Sequence, residues 1–197
     1  MIDLPKIVLA SASPRRVEIL TSVGWPFEKQ PANIDETEID GEAPEDYVVR
    51  LAREKALAVA GDRPDEIVLG ADTTVVVDGC ILAKPSDLDD AKRMLRILSG
   101  RSHFVLTGIA AARGGEVESA LERTRVDFCE MSESEIEFLA VKGDPLDKAG
   151  AYAVQAQAAL FISGIEGDYW NVVGLPIGTV YRLIMGSKKR PGGKTPG

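Results

Sequence analysis

Histidine and cysteine are almost missing from this chain: its 197 residues include one histidine, His103, and two cysteines, Cys80 and Cys129. A single imidazole excludes a histidine-rich metal cage, and two cysteines so far apart suggest neither a zinc site nor a disulfide framework. Any metal held here needs oxygen ligands. An excess of positive charge is also lacking, since the formal net charge is −8. That argues against general nucleic-acid binding and directs the search to a local basic pocket. No apolar run is long enough to cross a bilayer, and the start MIDLPKIVLA has neither the cationic head nor the long apolar run of a signal peptide. A soluble cytoplasmic protein with no membrane partner is expected. Repeats and internal linkers are absent as well, and 45% hydrophobic residues suffice for one sizeable core. One domain is therefore expected over residues 1–186. The tail at 187–197, SKKRPGGKTPG, has no apolar face and reads as disordered and basic.

What is present is centred on Ile67 to Leu82, IVLGADTTVVVDGCIL. The pattern predicts a buried strand from Ile67 to Leu69, a break at Gly70-Ala71 that presents Asp72, Thr73 and Thr74, and a second strand through Val77. Asp78-Gly79 then reads as a hairpin turn returning the chain through Cys80 to Leu82. A carboxylate set in an apolar β segment is costly to desolvate unless it meets a cation or hydrogen-bond donors. Asp72 is thus either a turn residue capping local N–H groups or a participant in chemistry, and Lys84-Pro85, delivered just after the hairpin, favours the second.

Upstream, Lys6 to Ala10 reads as a short buried strand. A helix follows, with Ser13 as N-cap, Pro14 at its first position, an apolar stripe of Val17, Leu20 and Val23, and a stop at Gly24 and Pro26. Arg15 and Arg16 in its first turn oppose the helix dipole, so they are solvated surface charges or they meet an anion, for which phosphate is suited. Phe27 to Gly41 reads as irregular and acidic, with Asp35, Glu36, Glu38 and Asp40 as solvated charges or as donors to a divalent cation. Pro44 to Ala60 is a predicted helix on which Val48, Leu51 and Ala58 share a face. Lys55 falls on that face and must snorkel out or meet an anion.

Downstream, Ser86 and Asp89 read as a capping box for a helix with the stripe Leu88, Ala91, Leu95 and Leu98, ending at Ser99-Gly100. His103 to Ala112 reads as a central strand, with His103 structural, joined through Arg113-Gly-Gly-Glu116 to a strand from Val117 to Phe128. Ser132 with Glu135 caps a helix carrying Ile136, Leu139 and Ala140 that stops at Gly143-Asp-Pro145. The small residues of Asp147 to Gln155 let backbone approach a neighbour or ligand closely. Gln155 is either a surface residue or an amide offering donor and acceptor to a base edge. Leu160 to Ile165 and Tyr169 to Val173 read as strands, the second leading through Gly174-Leu-Pro176 into a last helix with Val180, Tyr181 and Ile184.

Taken together, several segments resemble the Maf family of nucleoside triphosphate pyrophosphatases. They are LASASPRR at Leu9 to Arg16, RLAREKA at Arg50 to Ala56, LGADTTVVVDG at Leu69 to Gly79, AKP at Ala83 to Pro85, LSGRSHFVLTG at Leu98 to Gly108, DKAGAYAVQ at Asp147 to Gln155 and GDYWNVVGLP at Gly167 to Pro176. The resemblance covers nearly the whole chain except its tail. It implies an α/β fold with an elongated central mixed sheet flanked by helices, two lobes around a cleft, similar to inosine triphosphate pyrophosphatases. It also implies that Asp72 is the proton-accepting carboxylate and that Ser11, Arg15, Arg16, Lys55 and Lys84 lie on the phosphate side. Glu36, with Asp72, would serve a divalent metal cation, Mg2+ or Mn2+. The subgroup acting on dTTP and UTP carries an Arg, a Thr and a Gln at selectivity positions that match Arg15, Thr73 and Gln155. One departure is Ala156-Gln157, which stands where a Gly often follows the glutamine. A homodimer is implied too.

The implied chemistry is attack by a water, deprotonated by Asp72, on the α-phosphorus of a nucleoside triphosphate. Nucleoside monophosphate and pyrophosphate leave, and the basic groups stabilise the charge that builds on the leaving group. Two other readings use the same residues. One is a non-catalytic nucleotide-binding regulator of septum formation in cell division. The other is a purine-directed pyrophosphatase, against which the Arg, Thr and Gln set argues.

Overall fold

In the computed structural model, which describes residues 2–186, the central stretch forms one unbroken strand, β3 (Ile67–Val77). The expected break at Gly70-Ala71 does not occur, because Val68 to Val76 pair continuously with antiparallel β5 (Ser102–Arg113). The neighbours on the opposite edge break instead. There parallel β1 (Ile7–Leu9) pairs with Ile67 to Leu69, antiparallel β4 (Cys80–Leu82) pairs with Val75 to Val77, and Gly70 to Thr74 have no strand beside them. The sheet has seven strands, in the order β2 (Phe27–Lys29), β1, β3, β5, β6 (Glu116–Phe128), β7 (Ile162–Glu166), with β4 on β3. β1 runs parallel to both its neighbours and the remaining pairs are antiparallel, so the sheet is mixed as expected. Asp78 and Gly79 both have positive φ, 50° and 78°, the geometry of the tight hairpin turn that joins β3 to β4.

Strand alternation separates two apolar layers. Ile7, Leu9, Leu69, Ala71 and Val75 face the main core, closed by α1 (Pro14–Ser22), α3 (Leu88–Leu98), α4 (Glu133–Lys142) and α6 (Ile177–Gly186). Val8, Ala10, Val68, Ala110 and Ala112 face α2 (Pro44–Ala60) through Ala52, Ala56 and Val59. At two points α2 lies on the sheet with no room for a side chain between. A Cβ on Gly70 would stand 2.1 Å from the Ala52 carbonyl oxygen, and one on Gly108 would stand 2.2 Å from that of Val48. Gly70 therefore serves close helix approach, which accounts for a glycine inside a strand.

Several expected local features shift. Ala58 is exposed, and the buried face of α2 is Val48, Leu51, Ala52, Lys55, Ala56 and Val59. Val23 and Leu88 are exposed too, so Ile19 and Leu20 anchor α1 and Met94 completes the α3 stripe. Ser13 occupies the N-cap position of α1 without a side-chain cap bond, whereas α3 is capped by Asp87, one residue after the expected Ser86. The capping box of Ser132 with Glu135 on α4 is present. Phe27 to Lys29, expected to be irregular, gain a partner in β1 and form the edge strand β2. Tyr169–Val173 is a short helix, α5, because the Asp168 carboxylate accepts from the N–H groups of Trp170 and Asn171. Asp147 to Gln155 does bring backbone close, since a Cβ on Gly150 would stand 2.9 Å from Val75 Cγ2. The expected tail, 187–197, lies outside the described residues. No helix among those described is long and apolar enough to cross a membrane.

His103 is structural, as expected, and lies in a cluster of rings rather than at an exposed edge. It is 1% exposed, its Nε2 lies 2.7 Å from the Tyr152 hydroxyl, and Phe128 and Tyr152 meet its ring edge-on at 5.2 and 5.4 Å. Burial pushes its pKa from 6.5 down to about 4, against a weaker opposing pull from Asp127. As pH falls the unfolded imidazole takes its proton first, so stability present above pH 6.5 is lost progressively towards pH 4. Thermal melts from pH 7 to pH 4 should show wild type losing on the order of 3 kcal/mol more than His103→Gln over that window. Equal losses in the two proteins would remove His103 from the acid response.

Candidate active site

The gap beside Gly70 to Thr74 opens into a cavity of about 480 Å3. All nine residues singled out from the sequence line it. Ser11, Arg15 and Arg16 come from the turn after β1 and the start of α1, and Glu36 from the loop before α2. Lys55 comes from α2, Asp72 and Thr73 from β3, Lys84 from the exit of the hairpin and Gln155 from the segment after α4. Residues far apart in the chain thus meet at the one stretch of the β3 edge, between β1 and β4, that no described strand occupies.

At its centre stands an ion triplet. Lys55 Nζ lies 2.6 Å from Asp72 Oδ1 and 2.8 Å from Glu36 Oε1. The Lys55 and Asp72 side chains are 10% and 12% exposed, while that of Glu36 is half exposed. The ammonium therefore meets an anion, and does not snorkel out. A buried ion pair of this kind holds only while both partners are present, because either one left alone is an uncompensated buried charge. Burial pushes the Asp72 carboxyl above the usual carboxylate range, and Lys55 and then Arg16 restrain that rise. The result is an aspartate more basic than usual that points into a cavity, a pattern suited to accepting a proton.

Arg16 completes the sheet edge. It is buried, and its Nε–H donates to the Gly174 carbonyl at 2.9 Å while Nη1 donates to the Ala71 carbonyl at 2.9 Å and to Ser11 Oγ at 2.8 Å. Nη2 donates to Thr73 Oγ1 at 3.1 Å. Four of the five guanidinium N–H groups are thereby committed to the protein, and the Ala71 carbonyl, which has no ladder partner, is satisfied by a side chain. Thr73 Oγ1 also pairs with Thr107 Oγ1 at 2.9 Å and reaches the Gly174 carbonyl at 3.3 Å. Ser11, Arg16 and Thr73 thus form a scaffold across the gap.

The remaining basic groups divide into paired and open ones. Arg15 holds the Asp147 carboxylate at 2.8 Å and its carbonyl at 2.9 Å, and Lys148 approaches the same carboxylate at 2.6 Å. Lys84 and Gln155 are exposed to the cavity, and neither has a hydrogen-bond or ion-pair partner among the described residues. Asp147, Lys148 and Tyr47 are cavity residues that the sequence reading did not assign. Tyr47 had a signal, since it precedes Lys55 by eight residues, about two helical turns, on the same face. Asp147 and Lys148 lie in the same Asp147 to Gln155 motif as Gln155, and their sequence signal is that shared segment. Glu36 and Asp72 offer carboxylate oxygens, the donor chemistry that Mg2+ or Mn2+ requires. No group of three or more histidine, cysteine or acidic side chains among the described residues holds a metal by itself, so oxygens of a bound phosphate have to complete such a site.

Fold and site together define a mixed α/β protein with a cavity lined by five basic and three acidic side chains. The chain belongs to the Maf family: the model described as Maf-like protein matches residues 6–187. A relative from Myxococcus xanthus named dTTP/UTP pyrophosphatase is 50% identical over 182 residues, covering 92% of each chain. Relatives of the same name from Koribacter versatilis and Bacillus cereus are 49% identical over 179 residues and 46% identical over 181, covering 90% and 92% of this chain and 92% and 95% of their own. Among solved structures, the Staphylococcus aureus Ham1 protein superimposes with a TM-score of 0.55 at 16% identity, over 93% of this chain and 100% of that one. That likeness concerns the fold alone.

Because Arg16 is a scaffold of directed hydrogen bonds, Arg16→Lys, which keeps the charge but loses the planar fork, should cost about 2 to 4 kcal/mol of stability. Arg15→Lys, at a partly exposed pair, should cost about 1 kcal/mol or less. Chemical denaturation of both variants checks this, and an Arg16→Lys protein as stable as wild type would contradict the scaffold.

Proposed function

We propose that this chain hydrolyses dTTP and UTP to the nucleoside monophosphate and pyrophosphate. The observation that carries the reading is the convergence of the nine residues on one cavity around the buried Lys55–Asp72 pair. The names of the relatives at 46–50% identity support the same activity. They lend nothing to a non-catalytic regulator of septum formation.

In this reading the triphosphate lies along the open edge of β3. Lys84 is free to meet the phosphates, and Arg15 and Lys148 can turn to them from Asp147. Asp72 takes a proton from water as the water oxygen attacks the α-phosphorus. The bond from that phosphorus to the bridging oxygen breaks, and its electron pair leaves with pyrophosphate. Basic side chains stabilise the charge that accumulates there. A divalent cation held by Glu36 and Asp72 with the phosphates would neutralise charge on the transferring group. Gln155, facing the cavity, supplies the donor and acceptor that uracil and thymine require, and with its amide held in that orientation by the bound nucleotide, cytosine presents mismatched groups. The family resemblance extends the proposal to a homodimer working in the cytoplasm.

A panel of nucleoside triphosphates, with monophosphate and pyrophosphate both measured, tests this. dTTP and UTP should be hydrolysed within about tenfold of each other, since the amide does not read the methyl group that separates them. CTP and purine triphosphates should be poor substrates, and Gln155→Ala should lose that preference. Asp72→Asn should lower turnover at least about a hundredfold while the protein stays folded. Preference for a purine, or near-normal turnover in Asp72→Asn, would contradict the proposal.

A further inference from the structure

Glu36 sits in the stretch between Lys29 and Pro44, which has no helix or strand of its own, yet its carboxylate is held 2.8 Å from Lys55. Three groups of hydrogen bonds fix that stretch near Glu36. The Asp35 carboxylate accepts from the Thr37 N–H at 2.9 Å and the Thr37 hydroxyl at 2.6 Å, closing a local turn. Arg50 of α2 donates to the Thr37 carbonyl at 3.2 Å and grips Glu42 at 2.6 and 2.7 Å. The Tyr47 hydroxyl donates to the backbone carbonyl of Glu36 itself, at 3.1 Å.

We propose that Tyr47 is a positioning residue, whose hydroxyl latches the Glu36 backbone to α2 and so sets the Glu36 carboxylate against Lys55 and the cavity. One helix then carries both the ammonium and the latch, about two turns apart on one face, and the loop takes its register from that helix. Arg50 supports the latch from the next turn, its guanidinium lying 5.6 Å from the Tyr47 ring centre. The phenol hydroxyl is the donor of this bond, and the Glu36 carbonyl can only accept. Its own hydrogen is committed to the Glu36 carbonyl, which distinguishes it from a group that acts on substrate directly.

The consequence for catalysis rests on the pyrophosphatase reading, and a double-mutant cycle tests it. Tyr47→Phe removes one hydroxyl and keeps the ring. It should lower kcat/KM for dTTP about tenfold in wild type and less than about twofold in the Glu36→Gln background, because the latch acts through that carboxylate. An equal loss in both backgrounds, or no loss in wild type, would overturn the proposal. Amide exchange at Thr37, measured without nucleotide, should be several-fold faster in Tyr47→Phe, whereas an unchanged rate would overturn the latch. That second measurement decides the matter even if the wild-type chain hydrolyses no nucleotide, so the two readings fail separately.

Discussion

The contact between Lys55 and Asp72 governs the structure around it. Neither charge can be buried alone at acceptable cost, and the pair forms where α2 closely approaches β3 and β5. Gly70 and Gly108 permit that approach, since a Cβ at either would collide with an α2 carbonyl. The pair thus lies beside two residues without side chains, Gly70 on β3 and Gly108, the cross-strand partner of Asp72 on β5. In turn, the pair leaves Asp72 both charged by its partner and made more basic by burial.

The place of the cavity follows from incomplete pairing. β1 and β4 are each three residues long and flank the same edge of β3, so a five-residue length of that edge, Gly70 to Thr74, is left for side chains. Backbone groups there still need partners, and Arg16 supplies one to the Ala71 carbonyl while tying in Ser11, Thr73 and Gly174. The scaffold closes one wall, and the groups left uncommitted, Lys84 and Gln155, face the space it encloses. A net acidic protein thereby concentrates cationic groups in one cavity.

Much of this was legible in the sequence, for reasons that differ by element. α2, α4 and the hairpin at Asp78-Gly79 stand where local signals placed them, since caps, prolines and turn residues act over a few positions. β2 was invisible because three residues become a strand only when β1 lies beside them. Tyr169–Val173 has the apolar character of a strand, and Asp168 decides for a helix by capping two N–H groups. Gly70 read as a break, although its purpose is contact with a helix contributed by another segment. At the site, the sequence indicated that Asp72 needed a partner and that Lys55 had to snorkel out or meet an anion, but could not pair them, because they meet only through tertiary packing. The family resemblance brought nine residues to one cavity. It did not disclose that Arg16 is largely committed to protein acceptors, or that Tyr47 holds the Glu36 loop.

The central claim is that burial raises the basicity of Asp72 while Lys55 restrains it, and the acid limb of the pH profile for dTTP hydrolysis tests this most directly. In the proposed mechanism turnover requires Asp72 without its proton, so kcat/KM should fall as pH drops through a midpoint above the ordinary carboxylate value of 3.8. In Lys55→Met the restraint is gone, and the midpoint should move to higher pH whatever the loss in absolute rate. A midpoint that stays in place when Lys55 is removed would contradict the claim.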